Sequence, residues 1–169
     1  MKPSISSEFL EQCVFRLNEN TPRIKICLDL LTEEEIWQRP NQPSNSIGNL
    51  ILHLCGNITQ YIISSLGNQP DQRNRDGEFS AGSGHSKSEL FLKLSQTVQN
   101  AVEIIRGMSE EELLKKRAVQ GFTFSGIGNI IHVVEHYSYH TGQIVYWTKL
   151  LKDKDLGFYK GIDLNVKNE

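Results

Sequence analysis

Nowhere does this chain of 169 residues hold an apolar run near the roughly 18 residues that a bilayer span requires, so a membrane-spanning helix is not expected. The opening MKPSISSEFLEQ lacks the apolar core of a signal peptide, and the expected location is the cytoplasm. Charge of one sign is lacking too. The 18 Lys and Arg stand against 20 Asp and Glu, scattered rather than clustered, for a net charge of -2 and a pI near 6.2. That balance has none of the basic footprint of a nucleic-acid binder. Cysteine is scarce. Cys13, Cys27 and Cys55 are odd in number, far apart and set in apolar helical patterns, which suits reduced, buried thiols better than disulfides. Cys55 lies two residues beyond His53, faces away from it on a helix and is assigned to the core. What is present is ordinary globular usage, 38% hydrophobic and 22% charged, enough for one domain over residues 1–169 with its own core.

The chain reads as helices throughout. A first apolar-periodic stretch runs from about Ser6 to Leu31, with Leu10, Val14, Leu17, Ile24, Leu28 and Leu31 on one side; Pro22 predicts a kink or break near Asn20 and Thr21. Thr32-Glu-Glu-Glu35 has the form of a capping box opening a short helix with Ile36 and Trp37, ended by Arg39-Pro-Asn-Gln-Pro43. A second long helix is expected from Ser44–Ser46 to about Leu66, closed by Gly67. Residues 67–85, rich in turn formers and without a period, are expected to form a long loop, functional or mobile. Ser86-Lys-Ser-Glu89 caps a third helix to Arg106, before Gly107, and Ser109-Glu-Glu-Glu112 caps a second short one with Leu113 and Leu114. Ala118–Phe124 is extended, the fourth long helix spans about Gly126–Leu151, and the polar tail from Lys152 onward is irregular.

Two segments repeat: Thr32-Glu-Glu-Glu-Ile-Trp with Ile47-Gly-Asn-Leu-Ile, against Ser109-Glu-Glu-Glu-Leu-Leu with Ile127-Gly-Asn-Ile-Ile. Two such helical hairpins joined by the 67–85 crossover imply an all-α, pseudo-symmetric four-helix bundle.

The chemistry lies in the histidines. His136-Tyr-Ser-Tyr-His140-Thr-Gly-Gln143 places two imidazoles four residues apart on one helical face, ready to share a metal ion. His53, in the second amphipathic stretch, is the candidate third ligand, and three neutral imidazoles with open positions make a catalytic type of site. His132 extends the stripe, but the outer two histidines lie about 12 Å apart along the axis, so His132 either packs behind the pair or replaces His140. Glu135 lies off the histidine face, and the glutamate arrangement of zinc proteases is absent. Asn57 and Gln143 share faces with His53 and His140, where their amides can orient an imidazole or a bound ligand, unless they are plain helix surface. Trp37, Tyr139 and Trp147 fill the core or line a pocket. A lone helical histidine is more often a packing residue than a ligand, so a metal-free module with core histidines stays open beside the metal site.

Four segments together carry a resemblance: Trp37-x-Arg39-Pro-Asn; Asn45-Ser-Ile-Gly-Asn-Leu-x-x-His53-Leu-x-Gly-Asn57; Arg73-x-Arg75-Asp-x-Glu78-Phe; and Glu135-His136-Tyr-Ser-Tyr-His140-Thr-Gly-Gln143. The chain resembles the DinB/YfiT-like superfamily of metal-dependent proteins, in its uncharacterised bacterial branch. The resemblance implies an up-down-down-up four-helix bundle with a long crossover between the second and third helices. It also implies a divalent ion, such as Zn, Ni, Mn or Fe, on the triad matching His53, His136 and His140, and a homodimer. Some members resemble thiol transferases using bacillithiol, mycothiol or glutathione, and one branch is a mycothiol-dependent isomerase. The implied activity is transfer of a low-molecular-weight thiol to a small molecule; a metal-dependent hydrolase and a non-catalytic metal-binding bundle are the alternatives. No general base is visible. Many members carry Arg before Gly-Gln where this chain has Thr141, and Arg73 and Arg75 in the crossover are candidates for the missing positive charge.

Overall fold

Serine opens five of the helices. Ser4, Ser46, Ser86, Ser109 and Ser125 each accept a hydrogen bond from a backbone N–H three residues on, satisfying a donor that the first turn leaves free. At Ser4, Ser46 and Ser86 the third helical residue answers with its own side chain, completing a capping box. A computed structural model of the chain describes residues 4–168. The helices are α1 (Ile5–Leu30), α2 (Ile47–Ile58), which continues as a π-helix over Thr59–Ser64, α3 (Arg75–Ser80), α4 (Lys87–Arg106), α5 (Glu110–Leu114) and α6 (Gly126–Lys152). Strands β1 (Lys116–Val119) and β2 (Phe122–Ser125) pair antiparallel around Gln120 and Gly121, whose φ angles of 51° and 81° suit a tight hairpin turn. With 62% helix and only this hairpin as sheet among the described residues, the fold is all-α.

α1 packs against α6 and α4, and α2 against α4 and α6, around a core that includes Leu17, Ile24, Ile51, Leu54, Leu94, Ile105, Ile130 and Tyr137. The three cysteines are buried and unpaired. No helix among the described residues is long and apolar enough to cross a membrane.

Four expectations need correction. α1 runs unbroken through Pro22. The core holds it: Leu17, Ile24 and Leu28 bury the helix on both sides of the proline, while Asn20 Nδ2 and Thr21 Oγ1 donate to the carbonyls of Arg16, at 3.0 Å, and Leu17, at 2.9 Å, one turn earlier. The capping box at Thr32 forms, with Thr32 N donating to Glu35 Oε2 at 2.7 Å, but only turns follow it. Trp37 packs against Gly48, and Gly48 N donates to the Ile36 carbonyl, so the segment turns into α2 instead of propagating. The 67–85 segment is not wholly irregular, because α3 lies within it. Asn68, at φ 53°, rather than Gly67, takes the left-handed conformation after the π-helix.

Candidate metal centre

α2 and α6 touch along the faces that carry the histidines, and His53, His136 and His140 converge there, each offering a ring nitrogen within 4.8 Å of the others. His53 Nε2 lies 2.8 Å from His136 Nε2. Ring centroids are 4.9 Å apart for His53 and His136, 5.1 Å for His53 and His140, and 4.4 Å for His136 and His140.

Two of the rings are held from outside. His53 Nδ1 lies 2.9 Å from Glu78 Oε2, and His140 Nδ1 lies 2.7 Å from Gln143 Oε1. Both oxygens accept, so Nδ1 carries the proton in each ring, and a neutral ring in this tautomer has its lone pair on Nε2. Burial, together with the neighbouring imidazoles, lowers the His136 pKa to about 3. Burial also lowers that of His140, against the hydrogen bond to Gln143, which raises it. Neutral imidazoles are what a metal requires of histidine. Ring nitrogens 2.0–2.1 Å from a tetrahedral ion sit about 3.3 Å from one another, so His53 and His136 need separate by only about half an ångström to share one. The donor set fits a divalent ion.

Glu78 was not singled out from the sequence. Burial alone pushes its carboxyl up, but hydrogen bonds from Arg73 and His53, with the charge of Arg73, outweigh this and hold it below the ordinary carboxylate value. Arg73 grips it at two points, Nε to Oε1 at 2.7 Å and Nη2 to Oε2 at 2.8 Å, with side chains only 3% and 9% exposed. Arg73 Nη2 also comes within 3.1 Å of His53 Nδ1, two donors meeting on one carboxylate oxygen. Sequence shows Asp76 and Glu78 as equivalent acids in a polar segment; only the packing of α3 on α2 selects Glu78.

The other expected residues are placed as follows. Gln143 is in contact with His140. Asn57 is buried but bonds His132, Nδ2 to Nε2 at 3.1 Å, rather than His53, and its Oδ1 has no partner. His132 stays outside the triad, stacked on Tyr61 at 4.1 Å and on His136 at 5.3 Å. Arg75 is exposed, over the Phe79 ring at 4.8 Å, and Phe79 in turn lies 4.7 Å from the His53 ring. Two hollows flank the centre: one of about 470 Å³ beside Gln143, walled by Leu50, Tyr146 and Trp147, and one of about 640 Å³ beside Arg73 and Glu78, walled by Asn74, His85 and Lys93.

A family model described as protein of unknown function, DUF1572, matches residues 4–161. This chain belongs to the DUF1572 family. No curated protein matches the DUF1572 chain in sequence. Among solved structures it is similar to a conserved protein from Enterococcus faecalis, with a TM-score of 0.70 and 16% identity over 85% of this chain and 97% of that one. It is also similar to a DinB-like protein from Bacillus cereus, with a TM-score of 0.65 and 16% identity over 85% of this chain and 90% of that one. At these identities the likeness is one of fold, and the fold is DinB-like.

Proposed function

We propose that this protein binds one divalent metal ion through His53, His136 and His140 and uses it to transfer a low-molecular-weight thiol, of bacillithiol or glutathione type, to an electrophilic small molecule. The observation that carries the reading is the convergence of three ring nitrogens from two helices within 4.8 Å, with two of the rings braced on their far side. In this reading the long helices form an up-down-down-up four-helix bundle with the centre at its mouth, an arrangement supported by the likeness to DinB-like structures.

A bound divalent ion supplies Lewis acidity, lowering the pKa of a thiol or water in an open position towards neutrality. The chain's own residues set the rest. His53, His136 and His140 would hold the ion as neutral donors, which would leave its positive charge uncancelled by the protein. Gln143 holds the His140 ring. Lys93 lines the hollow of about 640 Å³ beside Arg73 and Glu78, which gives the co-substrate room, and with Arg75, exposed on α3, it offers positive charge to acidic groups. Thr141 is buried with its hydroxyl donating to the Tyr137 carbonyl, so it offers no group to a co-substrate where the resemblance implies an arginine.

A homodimer and a cytoplasmic location belong to the same proposal. On α6, Tyr139, Tyr146 and Leu150 are each more than half exposed around Gly142, a face suited to a second copy. Buried, unpaired cysteines suit a reducing compartment.

Elemental analysis of protein purified without a histidine tag is the first test: about one divalent ion per chain is expected, lost in His136→Ala/His140→Ala. Thiol consumption with a halogenated or epoxide acceptor then tests turnover. Absence of metal from the wild type sinks the metal reading. Bound metal with ester or amide hydrolysis in place of thiol transfer makes the protein a hydrolase, and bound metal with neither reaction leaves it a binding protein.

A further inference from the structure

We propose that α3 exists to deliver one carboxylate to His53: Glu78 positions the histidine, and Arg73 holds Glu78 in place. The consequence for metal affinity rests on the metal centre proposed above; the positioning of His53 does not.

A helix of six residues cannot hold itself together in water. α3 is tied down at both ends by side chains. Asn74 Oδ1 accepts from Gly77 N at 3.1 Å. Asn49 Nδ2 donates to the carbonyls of Glu78, at 2.9 Å, and Ala81, at 2.6 Å, and Arg39 Nη2 donates to that of Phe79 at 2.6 Å. Asn49 is fully buried in the first turn of α2, the helix that carries His53, so the carrier of the carboxylate and the carrier of the imidazole are fastened together. Gly56, three residues after His53 and on the same face, leaves the space that Glu78 and Arg73 fill, since a Cβ there would collide with Glu78 Oε1.

The two-point grip of Arg73 fixes the carboxylate while leaving Oε2 able to accept a second donor, His53 Nδ1. A purely structural ion pair has no need of that third bond. Fixing the proton on Nδ1 turns the Nε2 lone pair of His53 toward His136 and His140 and strengthens it as a donor. Because Arg73 cancels the charge of Glu78, this happens without adding net negative charge beside the site.

The test uses untagged full-length protein with Glu78→Gln and Glu78→Ala, and two readouts. Long-range ¹H–¹⁵N correlation spectra of the metal-free protein, with the signals of His53 assigned by His53→Gln, report its tautomer: Nδ1–H in the wild type, retained in Glu78→Gln, whose amide oxygen still accepts, and lost or mixed in Glu78→Ala. Competition with a chelator reports zinc affinity, expected to weaken roughly 10–100-fold in Glu78→Ala and less in Glu78→Gln. An unchanged tautomer in Glu78→Ala overturns the positioning role whether or not zinc binds. Zinc affinity within about twofold of the wild type in both variants overturns its consequence for the metal. A wild type that binds no zinc defeats the metal centre instead, and the tautomer readout still decides the role of Glu78.

Discussion

Replacing Gly56 by alanine adds one methyl group and reads the centre through protein stability. In an ordinary helix interior the change stabilises by roughly 0.5–1 kcal/mol, because glycine is the more flexible residue in the unfolded chain. Here the new Cβ would meet Glu78 Oε1, with the carboxyl carbon 2.7 Å away and Arg73 Nε 3.0 Å away, so the carboxylate must move off His53. Losing one charge-assisted hydrogen bond costs roughly 1.5–3 kcal/mol, which leaves a net destabilisation of about 0.5–2.5 kcal/mol once the gain in helix propensity is subtracted. At this chain length that corresponds to a melting temperature lower by roughly 1–10 °C. Gly142→Ala is the control: nothing lies within 4 Å of its Cβ, and it should show the ordinary stabilisation. Denaturant titrations of both variants, and of Gly56→Ala/Glu78→Ala, measure the difference. Truncating Glu78 opens the space, so the double variant should be less destabilised than the sum of its parts. If Gly56→Ala stabilises as much as Gly142→Ala, the carboxylate does not occupy that space and the account of the site is wrong.

The remaining predictions concern other parts of the molecule. Burial pushes the Cys13 thiol up to about 11 and the Cys55 thiol up to about 12, so a thiol reagent at pH 8 should leave both unmodified in the native protein and label them once denaturant is added; rapid native labelling would refute their burial. Hydrogen bonds from the backbone and side chain of Ser86 hold the Glu89 carboxyl below its ordinary value, so its contribution is present above about pH 4.3 and is lost as the pH falls through the lower folded value. The stability gap between wild type and Glu89→Gln should therefore narrow in acid, and a gap that is constant from pH 7 to pH 3 would contradict this. Arg75→Ala removes an exposed cation over Phe79, and is expected to leave metal content intact while weakening thiol affinity or dimerisation by on the order of 1–3 kcal/mol. Calorimetry and sedimentation check it, and no change in either reduces the segment to a linker.

The sequence by itself determined the helices whose ends are written locally. Ser86 and Glu89 meet within one turn, the apolar period of α4 continues from them, and no distant residue is needed to start the helix there. The same locality places His136 and His140 on one face, one turn apart. It fails where a distant partner decides the outcome. Pro22 predicted a break, but the helix continues because the core holds both halves through Leu17, Ile24 and Leu28. α3 is too short to show a period and is held by Asn49 and Arg39 from elsewhere in the chain. Asn57 shares a face with His53, yet α6 brings it His132 as a partner. Helical spacing put two histidines side by side, but the packing of α2 on α6 brought His53 to them, and the docking of α3 on α2 chose Glu78 over Asp76. Contacts within a turn are encoded by neighbours in sequence, whereas a buried charge finds its partner only once separate helices have closed around it.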